Sequence, residues 1–261
     1  MTKKLQNITS KIPAIVALLV IVLVWQLLCS FGIVPTYMLP SPIDVVKALF
    51  NDRAIIFDHA KISLSESLIG LGLGIFIAFV MATIMDYFKT LNLAFYPLLI
   101  ITQTIPTIAI APILVLWLGF GMAPKIALVM ITTFFPIAVG LLDGYKSVDE
   151  DALRLMRAMG ATKTQIFIHA KMPAALPHFF SGLKISASYA VVGAVVSEWL
   201  GGFEGLGVYM TRVKKAYAFD KMFAVIIVIV LISLLLMLVV NLIRRVVMPW
   251  EHVVQAERKR D

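Results

Sequence analysis

Six apolar runs occupy this chain, at about 13–34, 66–85, 94–118, 125–143, 180–200 and 222–243, each near the roughly 20 residues a helix needs to cross a bilayer. In lipid every backbone N–H and C=O must be satisfied within the protein, so only helices and closed barrels can span. A barrel strand would read as about 10 residues of alternating polarity; these runs are longer and continuous, so they predict helices. With 61% hydrophobic and 15% charged residues among 261, little sequence is left for a water-soluble core. The expected fold is an all-α membrane protein of six transmembrane helices. Residues 1–60 hold a basic tail, the first span and an outer segment; 61–248 form the transmembrane core, with a polar loop at 146–178; and 249–261 form a second tail.

Short cytoplasmic loops are enriched in lysine and arginine, which sets orientation. With the N terminus inside, the cytoplasmic side collects Lys3, Lys4, Lys11, Lys89, Lys146, Arg154, Arg157, Lys163, Lys171, Lys184, Arg244, Arg245, Arg258, Lys259 and Arg260. Lys47, Arg53, Lys61 and Lys125 fall outside, with a contrary cluster of Arg212, Lys214, Lys215 and Lys221. Both termini are expected in the cytoplasm. Leu27-Leu28-Cys29 faintly resembles a lipoprotein cleavage site, but Leu28 stands where a small residue belongs, so the first span reads as uncleaved. Cys29 is the sole cysteine, which excludes an internal disulfide.

Several functions are disfavoured. The net charge of +8 is spread over loops and forms no recognition face, so membrane lipid rather than nucleic acid is the expected partner of the cations. No Gly-rich loop ending in Lys-Ser/Thr is present, so the chain is not expected to hydrolyse ATP. His59, His169, His178 and His252 lack metal-ligand spacing, and no nucleophile–base constellation can be assembled. Neither cofactor, metal nor catalytic residue is expected. The spans also lack the serial ionisable residues of a proton relay or voltage sensor; Glu66 merely makes the start of the second span less clean.

Between the fourth and fifth runs lies a charged insert, Ser147 to Pro177. Two capping-box patterns, Ser147 with Glu150 and Thr162 with Gln165, predict two helix starts. Gly160 between them accepts a left-handed cap, and Pro173 and Pro177 are expected to stop the second helix, giving a short bent pair. On the first arm Ala152, Met156 and Met159 share an adaptable apolar face, and Glu150 and Arg154 are spaced to pair. Inside the spans, Gly70, Gly74, Ala78 and Ala82, and Gly182, Ser186, Ala190 and Ala194, form small-residue stripes for close helix contact, within one subunit or between subunits. Pro106, Pro112, Pro124 and Pro136 are expected to break the third and fourth spans beside polar residues. Gln103, Thr104, Thr107, Ser188, Tyr189 and Glu198 are the candidates for lining a pathway, with Glu198 placed by Trp199 at an interfacial level where an acid costs little.

The insert resembles the cytoplasmic coupling loop of type I ATP-binding-cassette importer permeases. Their signature runs Glu-Ala-Ala, three residues, Gly, nine residues, Ile-x-Leu-Pro. With Gly160 in the glycine slot, Pro173 takes the proline and Met172 the leucine, while Arg154, Leu155, Met156 and Ala170 replace the acidic, small and isoleucine residues. Glu150 or Asp151, one turn earlier, is the substitute for the missing acid. Leu39-Pro40-Ser41-Pro42, Ile105-Pro106, Ala111-Pro112, Leu118-Gly119-Phe120-Gly121 and Gly205-Leu206-Gly207 are similar to the branch that carries sulfonates, taurine, nitrate, and thiamine or riboflavin precursors. Ser197-Glu198-Trp199-Leu200-Gly201-Gly202 resembles the members linked to the hydroxymethylpyrimidine part of thiamine.

The resemblance implies a permease subunit, not an enzyme. It implies a dimer of this chain or a pairing with a sibling, a cytoplasmic ATPase dimer gripped by residues from Glu150, Asp151, Ala152, Arg154, Met156, Arg157 and Met159 to Gly160, Ala161 and Pro173, and an external binding protein. The alternatives are a sulfonate, taurine or nitrate importer, or an ATP-independent secondary carrier.

Overall fold

The computed structural model describes residues 12–35 and 38–250; Lys3, Lys4, Lys11, His252, Arg258, Lys259 and Arg260 lie outside them. The described residues form eleven α-helices and no strand. They fall into two compact units, one of residues up to His59 with Tyr209–Val228, the other Ala60–Val208 with the residues from Ile229 onward.

In the first unit, α1 (Ile12–Ser30) is an apolar rod, and α2 (Pro42–Asn51) starts where the Leu-Pro-Ser-Pro string places a cap and a proline. The Ser41 hydroxyl accepts the Asp44 N–H at 3.2 Å and donates to the Asp44 carboxylate at 2.7 Å. Trp25 Nε1 donates to Pro40 O at 3.0 Å. Asp52, just past α2, accepts the Lys221 ammonium at 2.8 Å and the Tyr209 hydroxyl. Burial pushes the Asp52 carboxyl up, but these two donors outweigh it and hold it below its ordinary value.

The second unit is organised by three long helices: α3 (Arg53–Tyr87), α6 (Met122–Lys146) and α9 (Met172–Gly201). Glycine sets their spacing. A Cβ on Gly70 would stand 2.5 Å from Val129, and one on Gly74 would run into Thr133; on the other face of α6, Gly140 meets His178 O, Gly144 meets Ala175, and Gly182 sits against Pro136 O. Both small-residue stripes are therefore consumed by contacts within one chain, where dispersion between closely approaching backbones does the work. The paired residue numbers also give direction: α3 runs parallel to α6, and α9 antiparallel to it. Gly182→Ala drives a methyl into the Pro136 carbonyl and is expected to cost about 1–3 kcal/mol, whereas Gly72, whose Cβ would meet nothing within 4 Å, tolerates alanine; thermal unfolding of the two variants in detergent checks the contrast.

The run at 94–118 is not a single helix. α4 (Lys89–Thr104) and α5 (Thr107–Leu118) meet at a 100° bend. Pro106 supplies no N–H and biases Ile105 to the extended backbone it adopts (φ −82°, ψ 120°). The bent pair still crosses. Because α3 and α6 run parallel, the link from Tyr87 to Met122 must return across their length. Lys146, at the far end of α6, lies over the Tyr96 ring of α4, whereas Val115 of α5 packs on Gly201 at the opposite end. Five helices, α1, α3, α6, the Lys163–Gly201 run and α11 (Phe219–Val247), are each long and apolar enough to span, and the bent pair makes the sixth crossing.

Pro112, Pro124 and Pro136 do not break their helices as expected. Pro124 lies in the first turn of α6, where its N–H would be unpaired anyway. Around Pro136, Ser186 donates to Thr133 O at 2.8 Å and Gly182 leaves room for the displaced backbone.

Candidate functional site

The polar insert folds into an elbow. Its first arm, α7 (Glu150–Ala158), is capped by Asp149, whose carboxylate accepts the Asp151 N–H at 3.0 Å. Ser147 is not the cap expected from sequence. Its hydroxyl and N–H both go to Gly144 O, so it still belongs to the last turn of α6. Gly160 takes φ +84°; its N–H reaches Arg157 O at 3.0 Å and that of Ala161 reaches Met156 O at 2.9 Å, closing the carbonyls of α7. The second arm, α8 (Lys163–Ile166), opens on the full Thr162–Gln165 capping box, with bonds of 3.3 and 2.8 Å.

Pro173 and Pro177 do not end this arm. A π-turn, Phe167–Lys171, shifts the register so that the Met172 N–H bonds Phe167 O, and Pro173 falls in the first turn of α9. The expected short helix pair is instead one short arm hinged to a helical run of 39 residues, Lys163–Gly201.

On the elbow, Leu155 and Met159 are 63% and 78% exposed, an unusual cost for apolar side chains on a polar arm. Met156, Met159, Gly160, Ala161, Gln165 and His169 border a groove of about 320 Å³. Arg154, in the acidic slot of the signature, pairs with Glu150 at 3.3 Å and Asp151 at 3.6 Å. These exposed pairs brace the arm by only a few tenths of a kcal/mol. Ala152 and Pro173 are also exposed.

A cavity of about 310 Å³ opens at the bend between α4 and α5, and Gln103, Thr107 and Tyr189 line it with Pro106, Thr132 and Gly193. The other three expected lining residues are absent from its wall. Thr104 donates to its own helix at Ile101 O, and Ser188 is half-buried. Glu198 is buried elsewhere.

Its surroundings were not visible in the sequence. Glu66, Lys125 and Glu198, from α3, α6 and α9, are 0%, 4% and 1% exposed, so the spanning helices do contain buried ionisable groups. Lys125 Nζ donates to Glu66 Oε1 at 2.7 Å and to Glu204 O at 3.3 Å. Glu198 accepts the Ser63 hydroxyl and the Gly207 N–H, both at 2.5 Å, and Ser63 in turn accepts the Leu206 N–H at 2.8 Å. A Cβ on Gly205 (φ +117°) would collide with the Glu198 carboxylate, and one on Gly207 with the Val195 carbonyl. The Gly-Leu-Gly string is thus the shape of a backbone wrapped onto a buried acid. The one legible hint was Ser63, Glu66 and Ser67, a polar stripe at helical spacing in an apolar run.

A multi-pass helical bundle with a proline-bent span, a cavity of mixed polar and apolar lining at the bend and a glycine-hinged arm outside the spans defines a membrane transport subunit of the type I importer permease architecture. Residues 70–251 match the binding-protein-dependent transport system inner membrane components, and the chain belongs to that family. It is 36% identical over 233 residues to the formylaminopyrimidine transport permease protein ThiX of Halalkalibacterium halodurans, covering 89% of this chain and 93% of that one. It is 35% identical over 210 residues to a probable ABC transporter permease protein of Haemophilus influenzae, covering 80% and 86%. Among solved structures, a chain from inward-facing conformations of the MetNI methionine ABC transporter superposes with a TM-score of 0.66 at 19% identity, covering 75% of this chain and 97% of that chain, a likeness of fold.

Proposed function

We propose that this chain forms the translocation pathway of an ATP-driven importer for a small heterocycle of the thiamine-pyrimidine class. The permease works as a homodimer, served by a separate cytoplasmic ATPase dimer and an external binding protein, and both of its termini face the cytoplasm. Residues 61–248 are its transmembrane core, with 146–178 as the coupling loop. The observation that carries the mechanism is the continuous helical run from the elbow to Glu198. At about 1.5 Å per residue, α9 alone extends about 45 Å, so a push on the elbow is delivered as motion of a rod.

The apolar knob of Leu155, Met156 and Met159 seats in a cleft of the ATPase, and ATP-driven closure of that partner moves the elbow. Gly160 holds the angle between the arms. At the far end, Glu198 grips the backbone at Leu206 and Gly207 through Ser63 and its own carboxylate, so the outer loop follows α9. Between these ends, the broken α4–α5 span and Tyr189 of α9 frame the cavity that the motion opens to alternate sides. The pyrimidine assignment rests on the 36% identity to a formylaminopyrimidine permease.

Proteoliposomes carrying the permease, ATPase and binding protein are expected to take up a radiolabelled aminopyrimidine precursor only when all three proteins and ATP are present. Uptake by the permease alone would overturn the importer reading. Uptake of a sulfonate or riboflavin in place of the pyrimidine, still dependent on ATP and all three proteins, overturns the substrate class and leaves the importer standing.

A further inference from the structure

A cavity of about 500 Å³ lies at the elbow end of the bundle, apart from the pathway opening and from the groove at Met156 and Met159; of the residues assigned to the ATPase contact, Arg157 alone borders it. Its walls come from the last turn of α3 (Thr83, Asp86, Tyr87), from Arg157 of α7 and from Lys163, Thr164, Ile166, Phe167 and Lys171 at the start of the Lys163–Gly201 run. Three cations and one carboxylate meet there. Lys171 is neutralised, its ammonium held by both Asp86 oxygens at 2.7 and 2.8 Å. Arg157 and Lys163 are not. Among the described residues neither has a carboxylate within 4.0 Å, and Lys163 instead lies over the Tyr87 ring, 5.0 Å from its centroid. The site thus presents two uncompensated positive charges beside the Thr164 hydroxyl, against an apolar wall of Ile166, Phe167 and Tyr87.

Location selects among anions. The apolar stretch of α3 gives way to polar residues at Asp86, beside the polar insert, so on composition the cavity is at the end of the span, with the Tyr87 ring at the level suited to an interfacial aromatic. Ile84, Phe88 and Ile168, next in sequence to lining residues Thr83, Tyr87 and Phe167, are 39%, 52% and 54% exposed, apolar surface available to an acyl chain. A guanidinium and an ammonium lining one cavity match a phosphodiester, and the apolar wall has no use for a free inorganic ion.

We propose that this cavity is a binding site for an anionic glycerophospholipid, with Arg157 and Lys163 on the headgroup phosphate and Tyr87, Ile166 and Phe167 along the first part of a chain. The test is titration of the purified full-length chain with phosphatidylglycerol and with phosphatidylcholine, read by native mass spectrometry. A double variant, Arg157→Gln with Lys163→Gln, is compared with Lys214→Gln with Lys215→Gln, which removes the same charge from α10 (Leu206–Lys215).

The first variant is expected to weaken phosphatidylglycerol binding about tenfold or more and to erase the preference over phosphatidylcholine, while the second leaves both unchanged. Equal losses in the two variants, or none in the first, overturn the site. Two further arms separate the sources of the anion. Competition by millimolar inorganic phosphate identifies a free-anion site, and loss of the bound lipid on adding the ATPase subunit assigns the cations to that partner; either result refutes the lipid proposal. An unchanged gel-filtration profile for both variants establishes that the comparison is between folded proteins.

Discussion

Lys125→Met is expected to lower the thermal midpoint of the detergent-purified protein more than any other single change in the spans. The ammonium it removes is 2.7 Å from Glu66 Oε1, in a site where Glu66 is fully buried and Glu198 adjoins it. Breaking such a pair from one side leaves an uncompensated buried charge and costs about 3–5 kcal/mol. The sharper prediction concerns the double variant. With Glu66→Met added, the vacated space is filled by apolar side chains of similar volume, and stability returns to near the parent value or above it. A double variant as unstable as the single one would show that the pair does more for the fold than neutralise itself. Transport separates the two roles further. Because Glu66, Lys125 and Glu204 O tie the loop after α9 to α3 and α6, the stabilised double variant is expected to fold but to import poorly.

Gly160→Val should do the reverse, sparing stability and abolishing coupled uptake. Nothing lies within 4 Å of a Cβ at this position, so the cost is conformational and not steric crowding. At φ +84° a side-chain-bearing residue pays roughly 1–2 kcal/mol, more when it is β-branched. The loop is solvent-exposed, so relieving that strain by reorienting the arm costs the bundle little, and the knob of Leu155 and Met159 then points the wrong way. Proteoliposomes should retain membrane-inserted protein and ATP hydrolysis by the partner while substrate uptake falls to background. Gly160→Asn, which tolerates the left-handed region, is expected to retain most uptake. Wild-type transport by the valine variant would remove the elbow's angle from the mechanism.

The elbow was legible because its signals are local. A capping box, a glycine in the left-handed region and i,i+4 charges act over a few residues, and Thr162, Gln165, Gly160 and Arg154 do in the structure what their spacing implies. The errors came where a local rule had a tertiary competitor. Pro173 and Pro177 read as stops, yet a π-turn absorbs one and the bundle carries the helix past the other. Ser147 read as a cap, but α6 claims it and passes the role to Asp149.

By itself the sequence determined that the chain is a bundle of membrane helices, since uninterrupted apolar runs have no other way to satisfy their backbone. It also determined the hinge at Gly160, because the left-handed backbone there depends on one residue's missing side chain. Only the tertiary structure decided that Glu66, Lys125 and Glu198, far apart along the chain, share one buried site with the Gly205–Gly207 backbone. A charge's meaning in lipid depends on which helix brings its partner, and that is set by how glycines let α3, α6 and α9 approach, a property of the packed bundle and of no segment within it.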